Sequence, residues 1–121
     1  MGQVIQAGSG QNPTKQVVIG AGLRHETSAT TVNKVCASGM KAVIFGSQAI
    51  ALGDRSIVVA GGMENMSKLP HYVYLRKGTG YGHTQLTDSI QFDGLTDVYN
   101  NMLMGSCTEK VCSEMGITRE A

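Results

Sequence analysis

Several classes of protein are excluded by what this sequence has little of. Ten Lys and Arg stand against nine Asp and Glu, a formal net charge of +1, and no basic cluster occurs. That balance gives no electrostatic footprint for nucleic acid or for an anionic membrane surface. No apolar run approaches the ~18 residues of a membrane-spanning helix. Met1-Gly2-Gln3-Val4 carries neither the charged n-region nor the long apolar h-region of a signal peptide. Cysteine is scarce and odd in number, three in all, which argues against a disulfide framework and for a reducing compartment. Aromatic residues make up only 5%. A compact fold of this mass exposes about 6,300 Å² out of roughly 18,600 Å² in the extended chain, enough burial for one modest core.

Glycine is the residue in surplus, 16 of 121 with no period. We read these as helix ends, tight turns and close backbone approaches. Gly8-Ser9-Gly10-Gln11 is a turn, and Asn12-Pro13 follows as an N-cap with proline in the first helical position. That helix is expected to reach residue 21 and stop at Gly22. The same stretch, through Thr14-Lys15, has the look of a phosphate loop. It lacks the Gly-Lys-Ser/Thr order, however, and Pro13 occupies the place of a third glycine, so a turn and helix cap is the better reading.

Residues 30–35 are short and β-branched and predict a strand. Residues 37–52 predict a helix closed by Gly53. It is apolar almost all round, with Ser38, Lys41 and Gln48 as a narrow polar stripe, and is expected to be covered on most sides. Residues 56–60, Ser-Ile-Val-Val-Ala, do not alternate and predict a strand buried on both faces of a parallel sheet. Helix, strand, helix, strand is the order of an α/β fold. Residues 62–97 then show no period, and a loop that long is usually functional or part of an interface. A last helix is expected over residues 103–115 with Gly116 as its stop. Thr118 opens what looks like a further helix, and Val4-Ile5 reads as the tail of a strand. The chain therefore reads as a piece of a larger α/β protein.

Cys36, at the junction of a predicted strand and a predicted helix, is the first chemical candidate. Helix N-termini favour negative charge, and the small neighbours Ala37, Ser38 and Gly39 leave room for a substrate to reach the sulfur. These features suit a nucleophile. Cys107 and Cys112 are five apart on one helix and point some 140° apart, so they read as ordinary helix residues. His25, His71 and His83 share no metal-ligand spacing with one another or with the cysteines. Gly61-Gly62-Met63-Glu64-Asn65-Met66-Ser67 follows the second strand, where the carboxyl ends of a parallel sheet face an active crevice, and Glu64 there needs a partner.

At these residues the sequence resembles the thiolase family, specifically its acetyl-CoA acetyltransferase type. The resemblance runs through Thr31-Val32-Asn33-Lys34-Val35-Cys36-Ala37-Ser38-Gly39-Met40-Lys41-Ala42. It continues in Val59-Ala60-Gly61-Gly62-Met63-Glu64-Asn65-Met66-Ser67, in Asp93-Gly94-Leu95-Thr96-Asp97-Val98-Tyr99, and in Met104-Gly105. It implies an α/β fold with a mainly parallel sheet and a buried helix. Residues 1–67 would be part of the N-terminal domain carrying the nucleophile, and residues 68–121 part of the loop domain. Cys36 would carry an acyl-thioester, and Leu103 and Met104 would lie beside the pantetheine of a coenzyme A thioester substrate. Leu103 replaces the histidine of a His-Met-Gly found in many members, and Asn65 replaces a commoner serine.

The resemblance further implies condensation of two acetyl-CoA to acetoacetyl-CoA and the reverse thiolysis, with no tightly bound cofactor and no metal. It implies a homo-oligomer, dimer or tetramer, in which residues 69–86 pair dimers. The compartment is mitochondrial or cytosolic, the mitochondrial slightly favoured. The activating histidine, the second cysteine and the asparagine of an oxyanion hole are expected outside these 121 residues, which alone would be inactive. Two other readings compete. A β-ketoacyl synthase also places Cys-Ala-Ser after a strand, but Lys34-Val35 and Gly-Gly-Met-Glu-Asn-Met-Ser favour a thiolase. A non-catalytic module could pair with full-length subunits through the apolar cysteine helix. A free-standing thiol redox protein is disfavoured, since no Cys-x-x-Cys occurs.

Overall fold

The computed structural model describes all 121 residues, Met1–Ala121. The chain divides into two compact units, Met1–Pro70 and His71–Ala121, rather than building one core.

In the first unit, residues 1–5 run extended between residues 30–32 and residues 61–63, parallel to both. Gly2 bridges Val32 on one side and Gly62 on the other. The Gly2 N–H donates to Gly61 O at 2.7 Å and Met63 N–H to Gly2 O at 2.9 Å. Val32 N–H donates to Met1 O at 2.9 Å and Gln3 N–H to Val32 O at 3.0 Å. In its pairing with residues 1–5 the predicted strand over residues 30–35 is thereby reduced to the bridge at Val32, residues 56–60 make no bridge at all, and neither segment forms a ladder. The reason is register. With Gly62 opposite Gly2 in parallel, residues 56–60 lie opposite no residue of this chain, and Ile57 and Val59 stay more than four-fifths exposed.

Two helices pack on this spine. Helix α1 is Pro13–Gly20, capped by Asn12, whose Oδ1 accepts the Lys15 N–H. The buried Thr14 hydroxyl meets that of Thr31 at 2.8 Å, tying α1 to the extended segment. The Lys15 ammonium donates to the carbonyls of His25 and Thr27 and so clasps the following loop. Helix α2 is Ser38–Ala51. It buries one line of small residues, Ser38, Ala42 and Gly46, one turn apart. A Cβ on Gly46 would stand 2.9 Å from Val58 Cγ1, so the missing side chain is what admits residues 58–60 against the helix. Contrary to the expectation of a helix covered on most sides, Met40, Val43, Phe45 and Ile50 are exposed, because nothing else in the chain lies over them. Each helix ends as its glycine predicts. Gly22, Gly53 and Gly116 all have positive φ, and the next residue's N–H reaches back five residues.

The closest approach in the unit is at Gly2. A Cβ there would fall 2.3 Å from the Ser38 carbonyl carbon and 2.5 Å from Gly39 N, both backbone atoms that cannot swing aside. Gly2→Ala is expected to cost about 2–3 kcal/mol, the upper range for overpacking. Gly20→Ala, with nothing within 4 Å of its Cβ, is expected to be neutral or to stabilise by up to about 1 kcal/mol. Thermal unfolding of the two variants separates them, and equal midpoints would remove the claim.

The second unit fills the segment without periodicity. Two strands of two residues each, β1, His71–Tyr72, and β2, Thr87–Asp88, pair antiparallel across the long connection of residues 73–86. One turn of π-helix, Gln91–Leu95, leads into β3, Thr96–Asp97, which pairs antiparallel with β4, Met102–Leu103. Helix α3, Met104–Met115, follows directly. Residues 118–121 make a single turn, the Ala121 N–H donating to Thr118 O at 3.4 Å. The Tyr72 hydroxyl donates to Asp93 Oδ1 at 3.0 Å and the ring stands edge-on to Tyr74. Partial desolvation and the Asp93 carboxylate push this phenol above its ordinary pKa.

The β3–β4 turn is organised by Asp97. Its carboxylate accepts the Asn100 side-chain amide and the Tyr99 N–H, at 3.0 Å for the latter, and Asn101 closes the turn at φ 52°. These bonds, the Asn100 contact foremost, hold the carboxyl below its usual range. A depressed folded value means that the turn is stabilised above the unfolded pKa of about 3.9 and loses that support as pH falls through the lower folded one. The Asn100 side-chain amide resonances should therefore titrate with a midpoint below about 3.9. A midpoint at or above that value would contradict the arrangement.

Candidate active site around Cys36

Cys36 sits where the chain leaves the Val32 bridge and turns into α2, two residues before the first helical residue, and its side chain is exposed. The turn is built by three side chains. Asn33 Oδ1 accepts the Val35 N–H at 2.9 Å, and its amide donates to Val4 O at 3.1 Å. The Ser38 hydroxyl accepts the Lys34 N–H at 2.8 Å and donates to Val35 O at 2.6 Å. Val35 is thereby held at φ 48°, a left-handed conformation that costs a β-branched residue about 1–3 kcal/mol. Ser38 is turned inward at 3% exposure. It is therefore not part of a solvated polar stripe, although it still lines the depression beside Cys36.

The sulfur faces a shallow, open depression of about 280 Å³ whose walls include Gly2, Val4, Gly39, Gly62, Met63 and Glu64. The glycines let three backbone segments converge here: a Cβ on Gly62 would lie 3.4 Å from Gly39 Cα. Glu64 finds the partner it needs. Its Oε2 accepts the Val4 N–H at 2.9 Å and its Oε1 the Ile5 N–H at 3.2 Å, so the carboxylate ends the extended segment as a two-pronged cap. No histidine lines the depression, and Glu64 is the one acidic side chain in its wall.

The roles of Asn33, Ser38 and Glu64 were not read from the sequence. An asparagine two residues before a left-handed position and a serine at a helix start are the local signals that could have suggested the first two. Glu64 bonds residues about sixty positions away, for which no local signal exists.

Leu103 and Met104 belong to the second unit, at the β4–α3 junction. With Leu95, Gly105, Ser106 and Glu109 they line an open, mainly apolar pocket of about 570 Å³. Cys107 and Cys112 are half-buried on α3, and the Cys107 Sγ lies 3.9 Å from Asp97 Oδ2. His71 faces Asp88 across the β1–β2 pair at 3.8 Å.

Residues 1–121 match the family described as thiolase, N-terminal domain. The chain belongs to the thiolase family. It is 54% identical over 120 residues to the mitochondrial acetyl-CoA acetyltransferase of Bos taurus, covering 99% of this chain and 28% of that protein. It is 50% identical over 120 residues to the cytosolic acetyl-CoA acetyltransferase of Rattus norvegicus, covering 30% of it. Among solved thiolases, the Acat5 thiolase of Ascaris suum, crystallised in complex with coenzyme A, superposes with a TM-score of 0.90 over 97% of this chain and 30% of its own, at 45% identity. The chain thus spans under a third of the thiolases it matches. These relatives include both mitochondrial and cytosolic proteins.

Proposed function

We propose that this chain supplies the acyl-accepting half of a thiolase reaction, with Cys36 as nucleophile. The Cys36 sulfur attacks the thioester carbonyl of acetyl-CoA. The new C–S bond forms as the bond to coenzyme A breaks, and coenzyme A leaves as its thiol with the proton from Cys36. The single observation that carries this reading is the placement of Cys36, exposed at a strained turn ahead of α2 and over a depression lined by glycines. The N-terminal end of α2, with its partial positive charge, favours the negative charge that develops there. Glu64 serves in this scheme as the cap of the extended segment, its two oxygens accepting the N–H groups of Val4 and Ile5.

In the second stage, by resemblance, a second cysteine outside these residues removes a proton from another acetyl-CoA, and the carbanion attacks the acyl-enzyme to give acetoacetyl-CoA. Residues 1–67 contribute the nucleophile to the N-terminal domain and residues 68–121 belong to the loop domain. The apolar pocket at Leu103 and Met104 suits the aliphatic part of pantetheine. The complete protein is a homo-oligomer, dimer or tetramer, of the mitochondrial or the cytosolic type, the mitochondrial slightly favoured by resemblance. The test is trapping with radiolabelled acetyl-CoA in a complete thiolase polypeptide carrying residues 1–121. Label retained when Cys36 is replaced overturns the reading.

A further inference from the structure

We propose that Ser38 is the positioning residue for Cys36, its hydroxyl clamping the strained Val35 turn that aims the sulfur. The proposal rests on the reading of Cys36 as the nucleophile. Val35 is the one non-glycine residue beside the depression at positive φ. Its own side chain does not explain that conformation, because it is half exposed. What holds it is polar and acts on both flanking peptide groups. The Lys34 N–H ends on Ser38 Oγ, and the Val35 carbonyl receives both the Ser38 hydroxyl at 2.6 Å and the Ser38 N–H at 3.0 Å. The Val35 N–H is taken by Asn33. The peptide joining Val35 to Cys36 is therefore fixed in plane by its oxygen, and that plane sets the direction in which the Cys36 side chain leaves. The clamp is itself immobile, since Ser38 is buried and its carbonyl lies against Gly2.

Removing the hydroxyl leaves the Lys34 N–H and one lobe of the Val35 carbonyl unpaired, and the turn relaxes toward the extended conformation a valine prefers. The loss should appear in the chemical step and not in substrate binding. It should also be reversible by a second change that a merely structural serine would not answer to. Glycine at position 35 takes positive φ without strain, so it should keep the turn once the clamp is gone.

The experiment uses a complete thiolase polypeptide carrying residues 1–121 and compares Ser38→Ala, Asn33→Ala, Cys36→Ala and the double variant Ser38→Ala with Val35→Gly. Acylation by radiolabelled acetyl-CoA is followed together with kcat and KM for thiolysis. Ser38→Ala is expected to slow acylation and kcat by about tenfold to a hundredfold, the scale of a misplaced reacting group, with KM little changed. The double variant is expected to recover most of the loss. An unchanged acylation rate in Ser38→Ala, or a double variant as slow as the single one, would overturn the proposal. Should Ser38→Ala fail to fold by circular dichroism, Asn33→Ala decides in its place: Asn33 is exposed and holds the same turn, and an unchanged rate there is equally fatal. Cys36→Ala that still takes label overturns the nucleophile reading instead, which keeps the two failures apart.

Discussion

Cys36→Ala, in a complete thiolase polypeptide carrying this segment, is expected to abolish acyl-enzyme formation and to lower thiolysis by about 10⁴-fold or more, the scale on which loss of an attacking group is measured. Cys107→Ala and Cys112→Ala are expected to leave both nearly intact. The three cysteines differ in setting rather than in chemistry. Cys36 is exposed on a strained turn ahead of a helix, whereas the other two are half-buried within α3. Only the first presents a sulfur to a depression with backbone on three sides and glycine in place of side chains. Timed labelling with iodoacetamide gives an independent check, since the same settings predict that Cys36 reacts first in the folded protein. Faster labelling of Cys107 or Cys112 would sink the assignment.

The 121 residues by themselves are expected to show no useful thiolysis of acetoacetyl-CoA. Nucleophilic catalysis needs a base within reach of the thiol and a prearranged oxyanion site. The wall around Cys36 holds no histidine, and its one carboxylate is committed to the N–H groups of Val4 and Ile5. Surface area points the same way. The chain exposes 9688 Å², where a compact protein of its mass exposes about 6,300 Å². Much of the excess is apolar: Met40, Val43 and Phe45 on α2, and Ile57 and Val59 in the unpaired segment beside it. Patches of that kind associate, so the isolated chain is expected to be oligomeric or poorly soluble. Light scattering and a thiolysis assay on residues 1–121 check both halves. A soluble monomer with the turnover of a complete thiolase would contradict the division of labour drawn here.

The local signals in the sequence were sufficient for the helices. Asn12-Pro13 starts α1, and the glycines at 22, 53 and 116 end the three helices, because capping and positive φ depend only on neighbouring residues. The strands were less legible. Residues 30–35 and 56–60 have strand composition, but a strand is made by its partner: residues 1–5 form a single bridge with the first, at Val32, and none with the second, bridging Gly62 beyond it. The paired elements of the second unit are two residues each, too short to carry a period. At the site, Cys36 stood out because its neighbours in sequence are also its neighbours in space. Glu64 could be singled out but not explained, since its partners are distant in the chain. Ser38 was misread for a related reason: which way a helix faces is set by what packs on it, and Gly2, thirty-six positions earlier, turns Ser38 inward.

The central claim is that the acyl group is carried on Cys36, and the most direct measurement locates it. A complete thiolase polypeptide carrying residues 1–121 is mixed with acetyl-CoA, quenched in acid, digested, and mapped by mass spectrometry. The account predicts one acetyl group, on the peptide containing Val35-Cys36-Ala37, which disappears when free coenzyme A is added before the quench. An acetyl group on a peptide containing Cys107 or Cys112, or on none of the cysteines of this segment, would contradict it.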